Sequence, residues 1–227
     1  MNKSIKIFGG TGRTGSLISS LLADKGESVV IATRDPHKAR ALASSFIHYR
    51  YGDINQKEGM KELLADSKAI IIIVESDESP NSPNSPKNVH YLGLLNIIEI
   101  VKELQLEVHV VLVTQIYITR PELYPEVKEI IFWRGQAEQA LRDSGIAYTI
   151  VRPSWLTNEA SQPVRLEQGD TGNGSIARID VARICAEASL SLEARAKTFE
   201  IFNDERANSS PLIDWSERFS QLKTDGS

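Results

Sequence analysis

The sequence predicts an α/β chain built on a parallel, doubly wound sheet with helices on both faces. Three observations carry that reading. The chain opens with a short apolar run, Ser4 to Phe8, followed by glycines at 9, 12 and 15 and then by Leu17, Ile18, Leu21 and Leu22 at helical spacing. Short β-branched runs then alternate with longer helical patterns to the end, which makes parallel strands joined by crossover helices. Finally, Ala69-Ile70-Ile71-Ile72-Ile73-Val74 is apolar throughout, as a strand buried on both faces should be.

Whole-chain properties narrow the class. The 227 residues are 41% hydrophobic and 25% charged, the balance of an ordinary globular protein. A length of 227 predicts one domain, residues 1–227, with 154–178 and 203–227 as a small C-terminal appendage on the ligand side. A net charge of −4 gives no basic surface for nucleic acid. No run approaches the length of a membrane span, and the N-terminus lacks a signal-peptide layout, so a cytoplasmic protein is expected. The single cysteine, Cys185, excludes an internal disulfide; Val181, Ile184, Cys185 and Ala188 share one helical face, which places it in the core.

Taken in order, the elements read as follows. Gly26 ends the first helix, and Ser28 to Thr33 makes a second strand. Pro36 opens a short helix through Ala43, and Phe46 to Tyr51 is a third strand. A helix from about Lys57 to Ala65 precedes the buried strand at 69–74. The acids Glu75, Asp77 and Glu78 stand at that strand's exit, and Ser79-Pro80-Asn81-Ser82-Pro83-Asn84-Ser85-Pro86 repeats Ser-Pro-Asn with a period of three, which favours extended, polyproline-type backbone. This loop is either a lid at the ligand edge of the sheet or a plain connection. A long helix spans Lys87 to Leu104, with a gap in bulk at Gly93 that predicts close packing. Val108 to Val113 is the fifth strand, Pro125 to Asp143 a helix, and Ala147 to Val151 the sixth strand, stopped by Arg152-Pro153. Residues 154–178 read as polar and turn-rich. Ile179 to Leu192 is a helix, Lys197 to Phe202 the last strand, and Ser209 to Leu222 a final amphipathic helix.

The glycine stretch carries the chemistry. Gly9-Gly10-Thr11-Gly12-Arg13-Thr14-Gly15 lies between strand and helix. There the first glycine allows a tight turn, the second lets backbone approach a pyrophosphate, and the third lets helix pack on strand. Amides at the helix N-terminus then face phosphate. Gly9, Thr11, Gly12, Arg13, Thr14 and Gly15 are thus candidate dinucleotide-binding residues. The second strand ends in Arg34-Asp35-Pro36-His37-Lys38. An acid at that tip would suit the ribose hydroxyl of NAD, whereas an arginine suits the 2′-phosphate of NADP. Arg34, Lys38 and Arg13 are expected to converge on one phosphate, which favours NADP(H) over NAD(H). The alternative leaves Arg34, Lys38 and Arg40 as solvated charges. Asp53 and Ile54 follow the third strand, where adenine would lie; Asp53 equally suits the N-cap of the next helix. The four histidines, 37, 48, 90 and 109, show no metal spacing, so no metal site is expected; His90 reads as a surface or capping residue.

These pieces resemble the atypical short-chain dehydrogenase/reductases with NAD(P)-binding folds, in the NmrA-like and flavin-reductase-like branch. The resemblance extends through Gly93 and Asn96, Trp133-Arg134-Gly135-Gln136-Ala137-Glu138, Ser144 to Pro153, Ile179-Asp180-Val181-Ala182 and Thr198-Phe199-Glu200-Ile201. It implies a Rossmann-like fold, the cofactor residues above together with Val74 at the fourth strand's exit, and a nicotinamide pocket bordered by Thr114, Arg134 and Pro153. Many members transfer hydride with a Tyr and a Lys four residues later. Here Ile130 and Arg134 stand at those positions. Tyr124 and Lys128 repeat the spacing six residues early, about 240° around a helix. Weak catalytic candidates are therefore Thr114, Tyr117, Tyr124, Lys128 and Arg134, with Thr114 or Gln115 replacing the usual Ser. Two functions remain. One is an NADP(H)-dependent oxidoreductase acting on a small carbonyl, quinone or flavin-like acceptor. The other is a non-catalytic NADP(H)-binding redox sensor or assembly factor with a protein partner.

Overall fold

A computed structural model describes residues 3–204 and 214–226. Its main sheet has the order β3-β2-β1-β4-β5-β6-β10-β8. The first six strands are β1 (Ser4–Phe8), β2 (Val29–Thr33), β3 (Ile47–Tyr51), β4 (Ser67–Ile72), β5 (His109–Val113) and β6 (Ala147–Pro153). They and β10 (Lys197–Asn203) run parallel, while β8 (Val164–Glu167) adds one antiparallel edge to a sheet expected to be parallel throughout. Helices α1 (Arg13–Asp24), α2 (Pro36–Arg40), α6 (Arg178–Leu190) and α7 (Trp215–Ser220) cover one face; α3 (Met60–Leu64), α4 (Gly93–Glu103) and α5 (Lys128–Asp143) cover the other. Alternation along the strands fills both cores: Ile5, Ile7 and Ile71 face α1 and α6, whereas Phe8, Ile70 and Ile72 face α4. No helix among the described residues is long and apolar enough to cross a membrane.

Several elements differ from the sequence expectation, each for a local reason. α2 stops at Arg40, because the Ser44 hydroxyl accepts from the Phe46 and Ile47 amides and turns the chain. α3 begins only at Met60, after Gly59 in a left-handed conformation. Asp53 does not cap it; its carboxylate accepts from the Asn55 amide in a local turn. The long helix at 87–104 opens as a π-helical turn, Lys87–Leu92, that buries Val89 and His90. His90 is thus a buried residue rather than a surface or capping one. Two 3₁₀ turns, Pro121–Leu123 and Pro125–Val127, precede α5. β6 continues through Arg152 and Pro153, which pair with Glu200 and Ile201 of β10. The stretch 154–178 is not merely turns: it supplies β7 (Trp155–Thr157), β9 (Ser175–Ala177) and β8, with β7 and β9 paired as a second small sheet. In the last helix the described part is Trp215–Ser220; the expected start at 209–213 lies outside the described residues.

The Ser-Pro-Asn loop is compact, not extended. The Asp77 amide donates to the Asn84 carbonyl (2.8 Å), and Ser82 Oγ donates to Asp77 (2.5 Å). Asn55 and Asn88 side chains both donate to the Pro83 carbonyl, at 3.2 and 3.1 Å. Each proline removes a donor, and asparagines from outside the repeat satisfy the carbonyl left behind.

At the start of the chain, backbone comes very close to backbone. A Cβ on Gly9 would sit 2.0 Å from the Ile73 carbonyl oxygen, and one on Gly15 2.2 Å from the Gly9 carbonyl oxygen. Gly9 also has φ +86°. On Gly12 a Cβ would have its nearest neighbour at 3.2 Å and otherwise open space. Gly15→Ala is expected to cost about 1–3 kcal/mol and lower Tm by roughly 2–12 °C. Gly12→Ala should cost less than about 1 kcal/mol; thermal unfolding of the two variants checks the difference.

Candidate functional site

The carboxyl ends of the strands open into a cleft at the point where strand order reverses between β1 and β4. Two cavities of about 490 and about 430 Å³ lie on either side, and Gly9, Gly12, Ile73, Val74 and Glu75 line both. The larger, over β1 to β3, also carries Thr11, Arg34, Lys38, Asp53, Ile54 and Asn84. The smaller, over β4 to β6, carries Arg13, Thr14, Gly15, Thr114, Tyr117, Arg134 and Pro153. The predicted residues therefore gather along one cleft, with one correction. Arg13 does not converge with Arg34 and Lys38: it lines the other cavity, because β1 and the glycine turn stand between them.

On the first side, Asp35 is spent on structure. Its carboxylate accepts from the His37 amide at 3.0 Å and caps α2. Arg34 and Lys38 are exposed at the cavity rim, and Arg34 Nη1 donates to Asn84 Oδ1 at 2.5 Å. The Ser-Pro-Asn loop thus reaches the arginine. Ile54 is held from behind, since Asn96 Nδ2 donates to its carbonyl (3.0 Å) and Gly93 leaves room for its side chain. α1 starts at Arg13 with Gly12 as an N-cap that offers no side-chain bond and with no acid in its first turn, and its first three residues line the cleft, so its leading amides are left for a ligand.

On the second side, Arg134 is buried. It donates to Gln115 Oε1 at 2.5 Å and to Glu75 Oε2 at 2.8 Å, and its Nε has no partner. Ile130 lines the same cavity. Thr114 is committed elsewhere: its hydroxyl donates to Glu138 at 2.7 Å, so Gln115, not Thr114, meets Arg134. Tyr117 lines the cavity but its hydroxyl donates to Asn173 Oδ1 at 2.7 Å. Burial, and then Tyr124 beside it, push its pKa up, away from what a proton donor near neutrality needs. Neither Tyr124 nor Lys128 lines the cavity. Tyr124 precedes the helix with φ −139° and stacks on Tyr117 with ring centres 4.7 Å apart, while Lys128 is exposed at the start of α5. Cys185 is wholly buried, and burial pushes its thiol up to about 12.

Behind the cavity lies a buried ionic cluster. Arg152 donates to Glu138 through Nε and Nη2 (3.0 and 2.6 Å) and to Glu200 through Nη1 (3.0 Å). Asp170 lies 3.9 Å from Arg152 and accepts from the Tyr117 and Thr119 amides at 2.6 and 2.8 Å. Glu138 appears in the sequence only as part of a motif. Glu75, expected at the exit of the fourth strand, lines the cavity, and so do Ser154, Trp155, Leu156 and Arg178, none of which the sequence marks individually. The one available signal was position: Ser154 and Trp155 follow the Arg-Pro end of β6, and Arg178 opens α6.

Two predictions follow from these groups. Glu138→Ala leaves a buried guanidinium short of its main partner and is expected to cost about 3–5 kcal/mol, read from the urea midpoint. His90 and His109 are held neutral: burial, with Arg134 near the one and Arg195 near the other, pushes them down to about 2 and about 4. Unfolded histidine titrates near 6.5, about where the unfolded chain begins to take up protons that the folded chain refuses. Stability is then fully present above about pH 6.5 and falls as pH drops. His90→Gln should make the fall in urea midpoint between about pH 6 and 4 shallower.

The chain is similar to proteins with this architecture. Over 101 residues it is 36% identical to sanguinarine reductase of Eschscholzia californica, spanning 42% of this chain and only 37% of that protein's length. It is 27% identical over 211 residues to quinone oxidoreductase 2 of Escherichia coli (strain K12), spanning 88% of this chain and 68% of that one. A solved putative NAD-dependent epimerase/dehydratase from Bacillus halodurans shares the fold with a TM-score of 0.81 at 22% identity, over 97% of this chain and 100% of that one. Residues 9–191, from the first glycine of the cleft to the end of α6, match the NAD(P)H-binding family, and the chain belongs to that family, of the atypical short-chain dehydrogenase/reductase kind.

Proposed function

We propose that this protein is an NADP(H)-dependent oxidoreductase acting on a small carbonyl, quinone or flavin-like acceptor, working in the cytoplasm as a single domain. The observation that carries the reading is the continuous cleft: a polar cavity with Arg34 and Lys38 meets, across the glycine turn, a cavity walled by Ile116, Tyr117, Ile130, Trp155 and Leu156. The residues fit the cofactor. Gly12 leaves space above uncapped α1 amides for a pyrophosphate. Arg34 and Lys38 suit a 2′-phosphate, and Asp35 does not compete, being the cap of α2. Ile54 and Asp53 border the adenine position. Arg134, with its unpaired Nε, would hold a ribose hydroxyl or the carboxamide, next to Pro153. When bound, the nicotinamide supplies a hydride. Names among the relatives support reduction of conjugated acceptors, including a quinone oxidoreductase and a sanguinarine reductase.

No tyrosine stands free as a proton donor among the described residues of the cavity. An acceptor such as a quinone or flavin takes its proton from water, so the apolar wall needs only to orient the ring and exclude bulk solvent. The same feature favours a second reading, a non-catalytic NADP(H) sensor or assembly factor, in which Ile130 and Arg134 replace the reactive pair altogether.

NADPH is expected to bind at least about tenfold tighter than NADH, or about 1.4 kcal/mol, and Arg34→Ala should remove that gap in a calorimetric titration. Asn84→Ala, which frees the same guanidinium, tests whether the loop contributes. NADPH oxidation should proceed with some member of a quinone, flavin and aldehyde panel and be lost in Gly12→Val. Tight binding without turnover on the whole panel would leave the sensor reading.

A further inference from the structure

Arg178 is the first residue of α6, and α6 packs beside α1 with its N-terminus on the same cavity. Its Nη1 donates to two neutral oxygens, the Thr157 carbonyl (3.1 Å) and Asn158 Oδ1 (2.7 Å). Arg13, the first residue of α1, is its charged neighbour, and burial followed by the Arg13 charge pulls the Arg178 pKa below the ordinary arginine value. Among the described residues no carboxylate lies within ion-pair distance of either guanidinium. The one acid in the lining, Glu75, is paired with Arg134. With Arg13 given to the cofactor's pyrophosphate, Arg178 is left as a cation at the cavity that no carboxylate balances, and it suits an anion.

A second observation is independent of the helix. Ser154 is 4% exposed, lines the same cavity, and its hydroxyl has no partner. Its own amide is already used by the Ile201 carbonyl. Buried hydroxyls are nearly always paired, so this one is left for a ligand. Beside it Trp155 meets Tyr124 edge to face and Tyr117 at a tilt, with ring centres 5.1 and 6.3 Å apart, so its indole is braced at the cavity. On the reading above, the cofactor's own phosphates would be met by other groups: the pyrophosphate by the α1 amides with Arg13, and a 2′-phosphate by Arg34 with Lys38 on the far side of β1. Arg178 and Ser154 line the cavity over β4 to β6, which Arg13, Thr14 and Gly15 also border, and not the one over β1 to β3 that carries Arg34 and Lys38.

We propose that Arg178 and Ser154 form a subsite for an anionic group, a carboxylate or phosphate, carried by a planar conjugated acceptor whose ring lies against Trp155. Arg178 supplies the charge and its free N–H donors, and Ser154 a hydroxyl donor. Calling the ligand an acceptor rests on the oxidoreductase reading above; the subsite itself is a matter of binding.

Riboflavin and FMN test it, because they share ring and side chain and differ by one phosphate. Their binding to protein saturated with NADP⁺ is read by quenching of flavin fluorescence. FMN is expected to bind at least about tenfold tighter than riboflavin at low salt, as charge-assisted hydrogen bonds imply, with the gap narrowing as salt rises. Arg178→Gln should bring the ratio to near unity, Arg178→Lys should keep part of it, and Ser154→Ala should reduce it by a smaller factor. The proposal is overturned if the flavins bind equally, if neither binds, or if the preference survives Arg178→Gln. It is overturned too if Arg178→Gln weakens NADP⁺ by the same factor, since Arg178 would then serve the cofactor. Should Arg178→Gln not fold, Arg178→Lys and Ser154→Ala decide alone, and an unchanged ratio in both overturns the proposal. NADPH oxidation is assayed separately. An Arg178-dependent FMN preference without turnover keeps the subsite and removes the oxidoreductase reading; turnover with equal flavin affinities does the reverse.

Discussion

The guanidinium of Arg152 is the contact on which the second half of the cleft depends. It lies at the end of β6 and is shared between Glu138 of α5 and Glu200 of β10, and Glu200 in turn accepts from the Asp170 amide at 3.1 Å. Asp170 then takes the amides of Tyr117 and Thr119 and so holds the chain after β5 in place. Tyr117 has φ +69°, a conformation a bulky side chain adopts only when its surroundings impose it. Arg142 adds a second cation on Glu138 at 2.9 Å. Burying this much charge is costly, so the cluster acts mainly by geometry: any other arrangement would leave a buried ion unpaired. Burial raises the Glu200 carboxyl above its usual range, against the Asp170 amide and Arg152; Arg152 stays charged despite burial because Glu138 holds it.

The first half of the cleft is governed by the opposite device, the removal of side chains. Gly9 lets β1 lie against the Ile73 carbonyl, and Gly15 lets α1 come down on the Gly9 carbonyl. With the backbones that close, the start of α1 points its amides across the sheet edge, and β1 becomes a divider. Arg34 and Lys38 stand on one side of it and Arg13, Arg134 and Arg178 on the other. The positive charge of the cleft is thus in two lots, which is what a dinucleotide with phosphate at one end and an anionic acceptor at the other would use.

Between the halves lie Ile73, Val74 and Glu75, the chain leaving β4. Glu75 is largely exposed, yet it pairs with buried Arg134 and limits how far that guanidinium can move. The loop that follows returns over the first cavity to place Asn84 on Arg34. One strand exit therefore touches both ends of the candidate ligand path. The buried, neutral His90 sits behind it, with Nε2 3.2 Å from Ser76 Oγ.

What the sequence determined by itself was whatever local chemistry dictates. The order of strands and helices, the glycine turn and the polarity of the cleft follow from short-range patterns: apolar alternation, helical spacing, and glycines where a Cβ has no room. Arg34, Asp53, Ile54 and Val74 stand just beyond strand ends and Lys38 within α2, along one edge. Tertiary structure alone decided the rest. Whether Asp35 meets a ligand or caps α2 depends on a single amide. Whether Ser-Pro-Asn is extended depends on Asn55 and Asn88 reaching it from elsewhere. The edge strand β8 and the small β7–β9 sheet pair with residues 20 or more positions away, so no local period marks them. Arg178 and Ser154 are unremarkable in sequence; they matter only because tertiary packing brings both to one cavity, the first without a carboxylate and the second with an unpaired hydroxyl. Side-chain commitments of this kind are settled by competition among distant donors and acceptors for the same buried groups, and a linear pattern holds no record of that competition.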